Sequence, residues 1–420
     1  MSRVFLLSYA DAPLTAPAEP AGWRRVAVGP LAEPAEGRDL PLPDRFGRLL
    51  TEIARALAAE KAGPPHLSAL TIRSPDAQAL LDQDPWALEL IYRESLGGNF
   101  CDMAVVSDPK AEGLAAEAVA FVPPAPEGPV YADMDAATLN FQYSARAQTP
   151  EHMDHMTAWR REGAAFREAR TPIVLTHGDG PGGEIDLYPP TEPQTGSGGA
   201  PIHLFIHGGY WQALDKSDQG HLFEAMLEAG VAVALPNYDL LPKDDLTLAD
   251  LSEQVRCGLE ALWAAAPLYG LNRDRLTVSG HSAGGHLGAV LAATDWSARD
   301  AGLPRDAVKG AVLISGLYDL SPLVATGINH AVGMDEDLAV RESPLHMRPA
   351  HALPALVAVG GLESEEFQRQ SRELAEVWGR RGAATELLIL DGLNHFTALE
   401  ALGDPASDLG RRAMRLIAAV

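Results

Sequence analysis

The sequence predicts an α/β protein with a mainly parallel sheet and helices on both faces, preceded by a small α+β domain. From residue 173 onward, short apolar runs alternate with helix-like runs, which is typical of parallel strands joined by helices. The chain of 420 residues is longer than one hydrophobic core usually supports. A proline-rich stretch at residues 123–128 divides it. We therefore expect an N-terminal domain over residues 1–125, a linker over 126–135 and a second domain over 136–420.

The N-terminal domain is predicted to contain strands, a helix, a strand, a second helix and a closing pair of strands. Helical spacing of apolar residues is clearest in the first helix, and a proline at position 85 interrupts the second. The predicted helices cover residues 44–60 and 77–96, and the predicted strands cover 4–8, 25–28, 67–73, 103–107 and 115–122.

The second domain begins with a predicted helix that starts at Thr149-Pro150-Glu151 and ends near residue 170. Apolar runs and helical patterns then alternate to the end of the chain. The strands are predicted at 185–188, 202–206, 231–235, 276–279, 308–314, 355–359 and 386–390. The helices between and after them are predicted at 217–229, 246–265, 285–293, 365–381 and 406–419.

Composition restricts the classes of partner and the compartment. The formal net charge is −24, which argues against binding to the phosphate backbone of nucleic acids. No apolar run is long enough for a membrane span, and the N-terminus lacks the pattern of a signal peptide, so we expect no membrane association. The two cysteines, Cys101 and Cys257, show no metal-binding spacing and are compatible with a reducing compartment. We expect a cytoplasmic protein without a metal or cofactor.

The sequence from Gly280 to Gly284 has the form Gly-x-Ser-x-Gly, directly after a predicted strand and directly before a predicted helix. A sharp turn between strand and helix presents a serine hydroxyl to a substrate, and it requires glycines beside the serine. This pattern predicts that Ser282 is a nucleophile. The backbone N–H of Ala283 is then a candidate donor to the oxyanion that forms on attack.

A second glycine turn, His207-Gly208-Gly209-Tyr210-Trp211, follows the strand predicted at 202–206. Glycines at this place allow backbone N–H groups to face a cavity, so we expect Gly208 and Gly209 to complete an oxyanion hole with Ala283. The two aromatic residues that follow are candidates for a wall of the substrate site. The same residues are also compatible with a place in the hydrophobic core.

A serine nucleophile needs a base and an acid, and both are predicted to follow later strands. His395 lies just after the last predicted strand, in the order serine, acid, histidine. Glu363 is the first acidic residue after the strand at 355–359, where a carboxylate can reach that histidine. Asp319, after the preceding strand, is the alternative acid.

These motifs resemble the kynurenine formamidase branch of the α/β-hydrolases. The similarity covers residues 136–420 and rests on LNFQYSAR, IHGGYWQ, PNYDLLPK, GHSAGGHL, SGLYDL, GLESEEFQRQS and LNHF. It implies an α/β-hydrolase fold and hydrolysis of an N-formyl aromatic amine, such as N-formylkynurenine, through an acyl-enzyme. One alternative is a carboxylesterase that acts on short-chain or aryl esters. Another, of a different class, is a non-catalytic ligand-binding protein with this fold.

The N-terminal domain resembles the RidA family. The similarity rests on GPPHLSALTIRSPD, LELIYRESLGGNF and EAVAFVP, within residues 40–122. It implies a trimer, and the family's active members hydrolyse enamines and imines with an arginine near the strand that follows the second helix. Here residues 99–104 contain no arginine and include Asp102. We therefore expect this domain to assemble the chain into a homo-oligomer without processing imines.

Overall fold

The computed structural model describes residues 5–15, 17–126, 128–192, 198–243, 245–299 and 302–420. Glu127, in the predicted linker, lies outside the described residues. Internal contacts group the chain into two compact units. The first unit contains the residues up to Ala137 and short later segments that begin at Pro242 and Ala325, and the second unit contains the rest of the chain.

The N-terminal unit is built on a mixed five-stranded sheet of order β1-β4-β3-β5-β2. Strands β1, β4 and β3 are parallel, and β5 runs antiparallel to both β3 and β2. One hydrophobic cluster joins the sheet to its helices. The strands are β1 Leu7–Tyr9, β2 Arg24–Ala32, β3 Leu67–Ser74, β4 Asp102–Ser107 and β5 Ala115–Val122, and the helices are α1 Leu42–Ala59, α2 Ala77–Leu81 and α3 Pro85–Leu96.

The helix predicted over residues 77–96 is two helices, and the break lies at Pro85 as expected. Proline lacks the N–H that a helix interior needs, but its fixed φ suits the first position of a helix. Asp84 caps α3 by accepting a hydrogen bond from the backbone N–H of Trp86 at 3.1 Å. The break therefore produces a second, capped helix start rather than a kink.

The second unit is built on an eight-stranded sheet of order β13-β12-β11-β10-β8-β9-β7-β6. Pairing is parallel from β13 through β9. Strand β7 then pairs antiparallel with β9 on one side and with the edge strand β6 on the other. This is the mainly parallel sheet of an α/β-hydrolase fold, as the sequence predicts. Its strands are β6 Ile173–Thr176, β7 Glu184–Tyr188, β8 Ala200–Ile206, β9 Ala232–Pro236, β10 Leu271–His281, β11 Gly310–Ile314, β12 Pro354–Gly360 and β13 Ala384–Leu390.

The longer helices α6, α8, α9, α12 and α14 lie close to the predicted positions. None of the described helices is long and apolar enough to cross a membrane. The helices that follow α3 in the chain are α4 Ala136–Gln142, α5 Ala145–Gln148, α6 His152–Ala169, α7 Glu224–Glu228, α8 Leu248–Ala265, α9 Ala283–Ala293, α10 Asn329–Val332, α11 Glu336–Glu342, α12 Glu365–Arg380, α13 His395–Gly403 and α14 Asp408–Ala419.

The helix predicted over 217–229 is wrong in its first half, since α7 begins only at Glu224. Before it, the Asp215 and Asp218 side chains accept hydrogen bonds from backbone N–H groups, those of Ser217 at 2.9 Å and Asp215 at 2.8 Å. Such local bonds compete with the helical ladder, which explains the turn at the predicted start of the helix. A short 3₁₀ helix, Gly220–Phe223, then leads into α7.

The predicted motifs gather at one edge of the second sheet because parallel strands end on the same side. The glycine turn follows β8, and Ser282 follows the neighbouring strand β10. Glu363 follows β12, and His395 follows β13 at the start of α13. The candidate site is therefore built from the carboxyl ends of strands that are adjacent or nearly adjacent.

Candidate active site

Ser282 occupies a sharp turn between β10 and α9. Its backbone has φ 57° and ψ −119°, a strained conformation for a residue with a side chain. A Cβ atom at Gly280 would lie 2.0 Å from the carbonyl oxygen of Gly284, and one at Gly284 would lie 2.0 Å from that of Ile206. Both positions therefore require glycine, and the turn is held against the end of β8.

His395 is bonded to a buried carboxylate. Its Nδ1 atom lies 2.6 Å from Oε2 of Glu363, and both side chains are buried. When Nδ1 carries the proton for this bond, Nε2 is the basic nitrogen of the neutral ring. The arrangement is that of a general base whose tautomer is fixed by an acid.

The second oxygen of Glu363 also has donors. Oε1 accepts hydrogen bonds from the backbone N–H of Gly360 at 2.7 Å and from the hydroxyl of Ser315 at 2.5 Å. These two bonds anchor one carboxylate oxygen of Glu363 to the protein, and the other oxygen is directed at the imidazole of His395.

The alternative acid, Asp319, faces other partners. One of its carboxylate oxygens lies 3.6 Å from Nη2 of Arg369, and the other accepts from the backbone N–H of Ser321 at 3.2 Å. Of the two candidate acids, the geometry therefore favours Glu363, which contacts the imidazole directly.

His281, which directly precedes Ser282 in the turn, contacts His395. Its Nε2 lies 2.9 Å from the carbonyl oxygen of His395, and the two rings are 4.5 Å apart. Burial lowers the pKa of His281 well below its ordinary value, so the ring is neutral and donates through Nε2. His281 therefore anchors the backbone of the candidate base.

The glycine turn after β8 packs against the candidate nucleophile. A Cβ atom at Gly208 would come within 3.2 Å of the Cβ of Ser282. Gly209 has φ +98°, and a Cβ there would lie 2.1 Å from the carbonyl oxygen of Ala213. The turn therefore depends on both glycines.

Tyr238 fixes the orientation of the peptide groups in this turn. Its hydroxyl lies 3.0 Å from the carbonyl oxygen of His207 and 2.9 Å from that of Gly208. Burial raises the pKa of Tyr238, so the hydroxyl stays protonated and can donate. In a trans peptide the N–H points opposite to the C=O, so the N–H groups of Gly208 and Gly209 point away from Tyr238. Sequence reasoning did not single out Tyr238, although it lies in the motif PNYDLLPK.

Tyr210 and Trp211, the predicted aromatic wall, have different environments. Tyr210 is half-buried, and its hydroxyl donates to the carbonyl oxygen of Tyr143. Trp211 is fully buried, and its ring meets that of His286 edge-on at 5.2 Å. A side chain with no accessible surface cannot contact a ligand without rearrangement, so the prediction for Trp211 is corrected to a core position.

A shallow depression lies beside Glu363 and His395. Its lining combines apolar and polar side chains, and Leu362 there is 65% exposed. Leu362 therefore offers apolar surface close to the base. The lining residues are Ala145, Gln148, Thr149, Leu362, Phe367 and Asn394, together with Glu363 and His395.

Within the described ranges, no cluster of three or more His, Cys, Asp or Glu side chains is arranged to hold a metal ion.

Comparisons with known proteins give consistent relatives. A family model described as BD-FAE matches residues 185–324. The chain is 33% identical over 257 residues to kynurenine formamidase of Salmo salar, which covers 60% of this chain and 83% of that protein. It is 29% identical over 296 residues to kynurenine formamidase of Danio rerio, which covers 68% and 97%. A solved structure from Silicibacter sp. tm1040, provisionally assigned as a thioesterase, is 31% identical with a TM-score of 0.54, and the match covers 64% of this chain and 97% of that one.

We predict that Glu363→Gln lowers turnover of an activated aryl ester by roughly a thousandfold to ten-thousandfold, because an amide does not hold the imidazole in the tautomer that leaves Nε2 basic. Asp319→Asn is the matched control, since it neutralises the other candidate acid, and it should retain most of the turnover. Steady-state kinetics on both variants decide the assignment. A severe loss in Asp319→Asn combined with a mild loss in Glu363→Gln would show that Asp319 is the acid.

Proposed function

The chain belongs to the kynurenine formamidase family of α/β-hydrolases and is a hydrolase, and from this premise we propose that it cleaves an N-formyl aromatic amine through an acyl-enzyme. The observation that carries this proposal is the buried 2.6 Å contact between His395 and Glu363, beside the strained turn at Ser282. Because the chain is a hydrolase, the alternative of a non-catalytic ligand-binding protein is dropped.

In the proposed mechanism, the Ser282 hydroxyl attacks the formyl carbonyl while Nε2 of His395 accepts its proton. The carbonyl oxygen becomes negatively charged and accepts hydrogen bonds from the N–H groups of Gly208, Gly209 and Ala283. Each such donor contributes about 3–4 kcal/mol of transition-state stabilisation in other hydrolases. The C–N bond then breaks, and His395 returns the proton to the leaving arylamine. Water, activated by His395, releases formate and regenerates the serine.

The surroundings of Ser282 support a small acyl group. The serine is only 2% exposed, and Gly208 lies close to its Cβ. A formyl group carries only a hydrogen on its carbonyl carbon, which suits so buried a serine. The relatives named kynurenine formamidase support the same choice.

Exposed apolar surface beside His395 supports an aromatic leaving group. The base that protonates the departing amine lines the same depression as Leu362, which provides this surface. In this proposal Tyr210 contributes its ring to the same site. Its hydroxyl is bonded to the carbonyl oxygen of Tyr143, so the ring is the part of the side chain that remains for the substrate. No metal or cofactor takes part in the proposed chemistry.

A carboxylesterase that acts on short-chain or aryl esters is the second candidate. The same serine, histidine and carboxylate would serve it, because the tetrahedral intermediates of ester and activated amide cleavage are alike. The similar Silicibacter structure, provisionally assigned as a thioesterase, supports this candidate because a thioesterase cleaves an acyl bond related to that of an ester.

For the N-terminal unit we propose a RidA-like domain that assembles the chain into a trimer or a multiple of one. Two strands, a helix, a strand, two helices and two strands follow one another in this unit, and its strands form one mixed sheet, which supports this proposal. The segment from Asn99 to Ala104 has no arginine, and the exposed Asp102 would repel a substrate carboxylate. We therefore propose that this unit does not hydrolyse imines. We also propose a cytoplasmic location, which is supported by the thiol form of Cys101 and Cys257, since neither forms a disulfide.

We predict that kcat/KM for N-formylkynurenine exceeds kcat/KM for p-nitrophenyl acetate, and that p-nitrophenyl butyrate is slower than the acetate because the acyl site is small. Parallel steady-state assays on the full chain test this. Higher kcat/KM for the esters, with no preference for the shorter acyl group, would establish the carboxylesterase instead.

We predict that removal of residues 1–128 lowers the oligomeric mass but leaves turnover within a few-fold of the full chain, since all proposed catalytic residues lie beyond residue 136. Light scattering and turnover measured on both proteins provide the comparison. An unchanged mass would refute the assembly role. Imine hydrolysis by the full chain that survives Ser282→Ala would refute the claim that the N-terminal unit is inactive.

A further inference from the structure

Ser315 follows the end of β11 in a conformation that favours glycine. Its φ is +48°, in the left-handed region where a side chain crowds the backbone. The residue is fully buried, and its backbone N–H donates to the carbonyl oxygen of Ala358 on β12 at 2.8 Å. A strained residue persists only where the surroundings hold it in place, and such residues cluster at functional sites.

The strained conformation brings the Ser315 hydroxyl to the carboxylate of Glu363. The hydroxyl donates to Oε1 at 2.5 Å, while Oε2 of the same carboxylate contacts Nδ1 of His395 at 2.6 Å. The backbone N–H of Gly360 also donates to Oε1, at 2.7 Å. The two oxygens therefore have separate tasks, one anchored to the protein and one presented to the imidazole.

Glycine would meet the backbone requirement at position 315 with less strain, but it would provide no hydroxyl. Without that hydroxyl, Oε1 would keep one donor, and the Glu363 side chain could rotate about its flexible bonds. The presence of serine at this position is therefore explained by its bond to the carboxylate rather than by the shape of the turn.

We propose that Ser315 is a positioning residue that holds the Glu363 carboxylate directed at His395. The inference rests on the proposed serine-hydrolase mechanism, in which Glu363 orients the base. It extends the catalytic group to a fourth side chain that touches neither the substrate nor the reacting atoms.

Two substitutions separate this role from a structural one, because they remove the same hydroxyl but should differ in stability. Ser315→Ala and Ser315→Gly both remove the hydroxyl, but only glycine relieves the backbone strain, so the glycine variant should have the higher melting temperature of the two. We expect both variants to lose about 10- to 100-fold in kcat with little change in KM, since a hydrogen bond to a charged group is lost in each.

Ser371→Ala is the matched control. Ser371 is also fully buried, and its hydroxyl has no hydrogen-bond partner in the described part of the chain, so its removal should leave kcat unchanged. Thermal unfolding and steady-state kinetics are measured on the full chain for every variant. The inference is overturned if Ser315→Gly keeps wild-type kcat, or if kcat follows the order of melting temperatures. Ser282→Ala is measured in parallel, and full turnover in that variant would instead refute the proposed function.

Discussion

The contact between the turn after β10 and the end of β8 determines the geometry of the whole site. Gly284 approaches the carbonyl oxygen of Ile206 so closely that a Cβ atom would lie 2.0 Å from it. This approach brings Ser282 beside Gly208, the first glycine of the glycine turn. The proposed nucleophile and the proposed oxyanion donors thus come from two adjacent strands. Parallel pairing then brings the ends of β11, β12 and β13 to the same edge.

Buried histidines near this edge differ in what they are bonded to, and that difference separates structural from proposed catalytic roles. His203 lies between the hydroxyls of Thr277 and Ser279, and burial lowers its pKa to about 3. His286 contacts the backbone carbonyl of Glu342, and burial lowers its pKa to about 4. Both rings are therefore neutral at physiological pH. His395 is instead bonded to a carboxylate, which stabilises the charged ring that proton transfer requires.

Motifs that depend on local backbone geometry could be predicted from the sequence, whereas contacts between distant segments could not. Glycines around Ser282 and Gly208 indicate turns after strands, and strand order then places them together. The bonds of Ser315 and Tyr238 join residues far apart in the chain, and nothing in their local sequence specifies them. Burial of Trp211 depends in the same way on packing against a distant helix residue. The predicted length of helix α7 is too great because hydrogen bonds to the side chains of Asp215 and Asp218 take the place of helical ones at its predicted start.

The central claim is that His395 activates Ser282 as a nucleophile. Reaction of the full chain with a fluorophosphonate, followed by peptide mapping with mass spectrometry, tests it most directly, because only an activated serine attacks the phosphorus at a useful rate. The account predicts one adduct per chain, on the peptide that contains Ser282, and loss of that adduct in His395→Ala. An adduct on another residue, or unchanged labelling of Ser282 in His395→Ala, would contradict it.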